Sequence, residues 1–255
     1  MTNQPILFGL LLALLAGLST TIGSFLGLFV KKTDFKLLAL GLGFSAGVMI
    51  NVSFVELLGQ SISHIGMLWA NTAFFAGILI AGLVDMLVPH EYIAECLPTN
   101  DPQLKPLIKA GVMTAIGIAI HNVAEGMTVF VGTVHSLGVG IVIAVAIAIH
   151  NIPEGLSVSL PIYCATGSRK KAFWLSFLSG ITEPIGALIA VLVLWPFLTP
   201  AFTNWLLALV AGIMVYISFD ELLPAAHKYG EEHVVVSGLI LGMLVMTVTL
   251  VILRP

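Results

Sequence analysis

The sequence predicts an all-α integral membrane protein of about eight transmembrane helices, with inverted pseudo-symmetry around helices four and five. Three observations carry that expectation. Of 255 residues, 58% are hydrophobic and only 9% are charged, where a soluble domain has about 45–50% and about 25%. Charge this scarce cannot cover a water-facing surface, which excludes a soluble globule and a disordered chain. The apolar residues gather into runs of about 20, enough for a helix to cross the hydrocarbon core, rather than the ten-residue alternating segments of an outer-membrane barrel. Finally, one short polar motif recurs in two consecutive runs.

The spans follow in order. The first is Pro5–Val30; no Lys or Arg precedes it and no A-x-A-like site follows it, so it reads as a span and not a signal peptide. The second is Leu37–Leu58 and the third Met67–Val88. A connection around Pro89–Pro106 follows, with His90, Glu91, Glu95, Asp101 and Lys105 among three prolines; it is expected to be a flexible loop. Then come Leu107–Val131, Leu137–Leu160, Ala172–Leu194, Phe202–Leu223 and Val234–Leu253. No connection is long enough for a soluble domain, so residues 1–255 are expected to form a single polytopic transmembrane domain.

The ten basic residues orient the chain. Lys31, Lys32 and Lys36 lie between spans one and two, and Lys105 and Lys109 between three and four. Arg169, Lys170 and Lys171 lie between five and six, and Lys228 between seven and eight. Only Arg254 falls on the other side. The positive-inside rule puts these loops in the cytoplasm and both termini outside. Cys96 and Cys164 then face the reducing side, against a disulfide. The formal net charge of −3 gives no reason to expect a nucleic-acid partner.

The spans hold no Lys or Arg in their middle turns, but they do hold acids: Glu56, Asp85, Glu125, Glu154, Glu183, Asp220 and Glu221. A lone charge at mid-bilayer costs about 2.5–3.5 kcal/mol on insertion scales. Either a proton neutralises each acid, making it hydrogen-bonded helix glue, or a cation does.

The recurring motif is H-N-x-x-E-G, as His121–Gly126 in span four and His150–Gly155 in span five. Consecutive spans run in opposite directions, so the copies are inverted about mid-membrane, as at a repeat-interface substrate site. At about 100° per residue, the Glu points between its His and its Asn, one turn further on. Such a carboxylate can bridge two metal ions, one on the His side and one on the Asn side. Imidazole with carboxylate suits zinc, iron, manganese and similar divalent ions. Pro153 and Pro184 each deprive an upstream carbonyl of its helical donor, leaving it to face a cavity or simply to mark a packing kink. Met49 lies on nearly the same face as Glu56 and is a soft ligand or core packing. Gly23/Gly27, Gly43/Gly47 and Gly238/Gly242 have the spacing of helix-contact pairs. Glu56 near the outer end, and Asp85, Asp220 and Glu221 near the inner end with His90 and His227 beyond, suit a cation route.

HNVAEG (His121–Gly126), HNIPEGLSV (His150–Val158), Glu183-Pro184, and GFSAGVM (Gly43–Met49) with Glu56 after it resemble the ZIP family of divalent-metal transporters, in its bacterial zinc-uptake branch. The resemblance covers essentially the whole chain. It implies a binuclear site, with His121, Glu125, His150 and Glu154, with or without Met49, holding one ion. Asn122, Asn151 and Glu183, with the same bridging glutamates, would hold the second. It also implies import into the cytoplasm of zinc or another divalent ion such as iron, manganese, cobalt or cadmium. An elevator-like motion, a homodimer and a bacterial inner-membrane location follow with it, with no cofactor beyond the transported ion. The long His-rich loop of many eukaryotic relatives is absent.

Two other readings use the same residues. An intramembrane metal-dependent hydrolase is disfavoured by the lack of H-E-x-x-H and of the ferritin-like E-x-x-H. A proton-coupled carrier of organic cations would not need two His-Asn-Glu sets.

Overall fold

The computed structural model describes residues 4–29, 35–87, 105–135, 137–194 and 199–253, and no strand occurs among them. Eight of its helices are long and apolar enough to cross a membrane. They are α1 (Gln4–Gly27), α2 (Phe35–Ile65), α3 (Met67–Leu87), α4 (Lys105–His135), α5 (Leu137–Thr166), α6 (Arg169–Ile189), α7 (Pro200–Lys228) and α8 (Glu232–Leu253). Each matches one expected span. Most of the 89–106 connection lies outside the described residues, with His90, Glu91, Glu95, Cys96 and Asp101.

Several helices outrun their apolar stretches. α5 runs through Pro153 and Pro161 without interruption and ends at Thr166, while α6 runs through Pro184. In a bilayer, neighbouring helices and hydroxyl side chains re-satisfy the backbone groups that proline frees. The α5–α6 turn uses Gly167 at φ 68°, followed by Ser168, whose hydroxyl accepts from the Lys171 amide and caps α6. Thr199 caps α7 in the same way, with Pro200 in the first turn.

π-helical turns that the hydropathy pattern does not signal interrupt two long helices, Val52–Leu58 in α2 and Ser218–Leu222 in α7, and a third, Ala190–Leu194, continues α6. Each of the two interior turns has, in its first two residues, a serine bonded back to the preceding turn. Ser53 donates to the Met49 carbonyl at 2.7 Å and Ser218 to the Met214 carbonyl at 2.8 Å. This kind of bond competes with the helical ladder, and π turns concentrate at functional sites. These two carry Glu56 and the Asp220/Glu221 pair.

The helices sort into two groups. α1, α4, α5 and α6 pack mutually into a bundle, whereas α2 pairs with α8 and α3 with α7. The π turn of α2 lies against α7 and joins the two pairs. Between the groups runs an apolar seam that includes Met49, Ala124, Leu160, Val210, Met214 and Ile217.

The inverted pseudo-symmetry is visible contact by contact. Gly126 of α4 leaves room for the Glu183 carbonyl of α6; Gly155 of α5 leaves the same room for the Thr20 carbonyl of α1. Gly186 accommodates the Val123 carbonyl, and Gly23 the Ile152 carbonyl. The Asn122 amide donates to the Ser179 carbonyl at 3.1 Å; the Asn151 amide donates to the Ala16 carbonyl at 3.0 Å. Each pair maps α4 onto α5 and α6 onto α1 at constant sequence offsets. Gly17 and Gly180 face each other across the centre, as residues on the pseudo-two-fold axis must. The outer pairs obey the same rule. Gly47 meets the Leu239 carbonyl as Gly212 meets that of Phe74, and Gly242 meets that of Phe44 as Gly77 meets that of Leu209. This register makes Met49 and Met214 counterparts, and likewise Glu56 and Glu221.

The predicted glycine pairs are thus contact sites, because lipid gives no hydrophobic drive and helices gain by close backbone approach. Lys36, Lys105, Arg169 and Lys228, all exposed, cluster at helix ends on one side of the molecule, called here the basic end. Lys31, Lys32 and Arg254 lie outside the described residues. At the opposite end Trp69 and Trp205 meet with ring centroids 5.8 Å apart, a position suited to the interfacial belt.

Candidate metal centre

α4 and α5 pack against each other along their lengths, which brings the middles of the two helices side by side. His121 and Glu154 meet there, with Nε2 2.9 Å from Oε1 and both side chains fully buried. Glu125, one turn after His121, joins them. One ligand atom from each of His121, Glu125 and Glu154 lies within 4.8 Å of the other two. Tetrahedral zinc holds its N and O donors at about 2.0–2.2 Å, hence roughly 3.4 Å from one another, so the group needs only a small adjustment to close on an ion.

A second polar group adjoins the first. Asn151 donates to Glu183 Oε2 at 2.7 Å, which ties α5 to α6. The amide nitrogens of Asn122 and Asn151 are spent on backbone carbonyls, so each side chain is held with its oxygen unspent. Asn122 Oδ1, Asn151 Oδ1, Glu154 Oε2 and Glu183 Oε1 are buried without a hydrogen-bond partner. Buried oxygens are rarely left so unless an ion or water takes them, and these four are the hard donors that a divalent cation uses.

The other expected residues fall as follows. His150 and Glu221 sit on described helix backbone, but their side chains lie outside the described residues. Met49 is fully buried in the apolar seam, close in sequence register to the α4 motif through Ala124. Glu56 is half-buried and lines a cavity with Gln60, Thr128 and Glu125, so it connects directly to the cluster. Asp85 lines a separate pocket with Met113, Gly117, Ile120 and Tyr216, one turn from His121 on the basic side. Asp220 is exposed. α1 was not expected near the site at all, yet Ala16 and Thr20 face it. No charged residue marks α1, and its kinship with α6 rests on small residues that leave no motif.

The sequence profile of the family described as ZIP Zinc transporter matches residues 89–250. The chain belongs to this family. Proteins named "Zinc transporter ZupT" are similar to it along nearly their whole length. The one from Chlorobium phaeovibrioides (strain DSM 265 / 1930) is 54% identical over 96% of this chain and 97% of its own. That from Lysinibacillus sphaericus (strain C3-41) is 49% identical over 98% of each. That from Streptococcus mutans serotype c (strain ATCC 700610 / UA159) is 44% identical over 98% of this chain and 99% of its own. ZIP membership makes the protein a membrane transporter of divalent metal ions, not an enzyme, and sets aside the hydrolase and organic-cation readings. The two motif copies of this ZIP protein are the segments its bundle brings together.

Proposed function

We propose that this ZIP transporter imports zinc, and with it other divalent transition metals, through a two-ion site at mid-membrane. The observation that carries the proposal is the buried His121, Glu125, Glu154 group beside the unspent oxygens of Asn122, Asn151 and Glu183. An arriving ion passes Glu56, whose carboxylate draws it into the cavity ending at Glu125. It sheds water as imidazole nitrogen and carboxylate oxygen replace its hydration shell. His121 Nε2 and Glu154 Oε1, now bonded to each other, part to admit it; Glu125 and Glu154 bridge to the second ion held by the asparagines and Glu183. His150 completes the first set, and Met49 adds a soft contact from the facing helix.

An apolar seam resists neither sliding nor separation with directional bonds. It therefore suits a motion in which α1, α4, α5 and α6 carry the site past α2, α3, α7 and α8, from the Glu56 side to the side of Asp85, Asp220 and Glu221. The inverted repeat gives that motion two equivalent end states. The same reading includes a homodimer in a bacterial inner membrane.

Purified protein in proteoliposomes should take up radiolabelled zinc, with unlabelled iron, manganese, cobalt and cadmium competing to different extents. Absence of uptake above empty liposomes would end the proposal. The orientation has its own check, since the basic end should face the cytoplasm. In a Cys96→Ser, Cys164→Ser background, Ser168→Cys should resist an impermeant thiol reagent in intact cells and react after lysis, while an N-terminal tag is accessible from outside. Reaction of Ser168→Cys in intact cells would reverse the direction.

A further inference from the structure

The pseudo-symmetry pairs the His, Asn and Glu of the two motifs with chemical equals, but not Glu183. His121 pairs with His150, Asn122 with Asn151 and Glu125 with Glu154, but Glu183 of α6 pairs with Thr20 of α1. The surroundings of these two are matched closely. The carbonyl of Glu183 rests on Gly126 as that of Thr20 rests on Gly155. A Cβ built on Gly17 would lie 3.2 Å from the Glu183 Cβ, and one on Gly180 would lie 2.9 Å from the Thr20 Cβ. The preceding residues behave alike as well: Thr182 donates to the Ser179 carbonyl, and Ser19 donates to the Ala16 carbonyl at 2.6 Å.

Thr20 is fully buried, and its Oγ1 has no hydrogen-bond partner. Most mid-helix threonines satisfy the hydroxyl on the carbonyl one turn back, as Thr128, Thr133 and Thr166 do here. Leaving a buried hydroxyl unmade costs about 1–3 kcal/mol, a cost that a bound ion or water at this hydroxyl removes. The symmetry names the place: Thr20 holds relative to Asn122 the position that Glu183 holds relative to Asn151, and Asn122 Oδ1 is likewise unspent.

We infer that Thr20 is a further metal-site residue, its hydroxyl giving the second ion a neutral oxygen, directly or through one held water, across from the Glu183 carboxylate. This rests on the two-ion reading above. The substitution of hydroxyl for carboxylate also has a consequence for release. With a carboxylate on both sides, the second ion would meet one more negative charge, and cation affinity rises with the number of charged ligands. The half-site toward the basic end is the neutral one, because Thr20 follows Gly17 in that direction whereas Glu183 follows Gly180 in the other. The ion is therefore held firmly on the entry side and loosely on the exit side.

The test uses the full chain in detergent, with zinc and cadmium as probes. Thr20→Val keeps the volume and removes the hydroxyl. It should weaken the second zinc about tenfold, within the 10–100-fold typical of losing a site-supporting group, and leave the first within about twofold. Thr20→Ser should restore the second ion. The melting midpoint in EDTA should not fall in either variant, since Thr20→Val removes a buried hydroxyl that the metal-free protein leaves unpaired. In the Cys96→Ser, Cys164→Ser background, Thr20→Cys should give a sulfur-to-cadmium charge-transfer absorption that saturates with the second equivalent, a signal a packing role does not produce. Glu183→Gln separates the two levels of the argument. If Glu183→Gln loses the second ion while Thr20→Val binds both as wild type does, Thr20 is only packing and the two-ion reading stands. If wild type binds a single ion, the two-ion reading fails and this inference with it. A loss in Thr20→Val that Thr20→Ser does not restore also overturns it.

Discussion

Replacing Glu154 by glutamine should cut zinc affinity at the centre at least about 100-fold, which at 1.4 kcal/mol per factor of ten is about 3 kcal/mol. The amide keeps the volume and still accepts from His121, so the fully buried pair at 2.9 Å retains a hydrogen bond. What is lost is the negative charge and the second metal-binding oxygen. In the proposed two-ion site Glu154 serves both the His121 group and the asparagine group, so both ions would lose a ligand at once, whereas an asparagine substitution would touch one. Glu154→Ala should bind as poorly and be less stable, because it leaves the His121 ring buried without its acceptor. Titration calorimetry in detergent gives the affinities, and proteoliposome uptake per folded molecule gives the rates. A Glu154→Gln protein that binds two zinc ions with wild-type affinity would remove the bridging carboxylate from the mechanism.

Gly126→Ala should abolish most transport without touching a ligand atom. A Cβ at this position would lie 1.8 Å from the Glu183 carbonyl oxygen and 2.7 Å from its carbon. Backbone cannot swing aside as a side-chain tip can, so α6 must retreat from α4 by more than an ångström. Overpacking of this kind costs about 1–3 kcal/mol, and here it falls on the residue that presents Glu183 to Asn151. Uptake should drop more than about tenfold, with a lowered melting midpoint. Gly59→Ala is the control. The nearest atom to a Cβ there is the Phe54 carbonyl oxygen at 3.5 Å, an ordinary contact, and rate and stability should stay near wild type. Wild-type uptake by Gly126→Ala would mean that the α4–α6 contact is not what sets the site.

Much of this molecule is legible in its sequence because the signals are local. Hydropathy over a window of one helix length finds the eight spans, since the bilayer requires that length whatever the helix packs against. Basic residues at span ends give an expected orientation, because the field they respond to acts on each loop separately. The doubled motif exposes the metal chemistry, because the helical repeat alone places His, Asn and Glu on one side of each helix. What the hydropathy windows and the motifs do not reveal arises between helices. The π turns at Val52–Leu58 and Ser218–Leu222 come from serine bonds and packing inside segments that look like ordinary apolar helix. The hold on Asn122 and Asn151 comes from the carbonyls of Ser179 and Ala16, and a carbonyl has no residue signature. The place of α1 beside the centre, and of Thr20 opposite Glu183, depends on glycines letting two backbones meet. Local pattern is enough to specify a membrane transporter with paired His-Asn-Glu sets. Which oxygens those sets leave unspent depends on the packed fold, because hydrogen bonds and close approach between distant helices belong to no single stretch of chain.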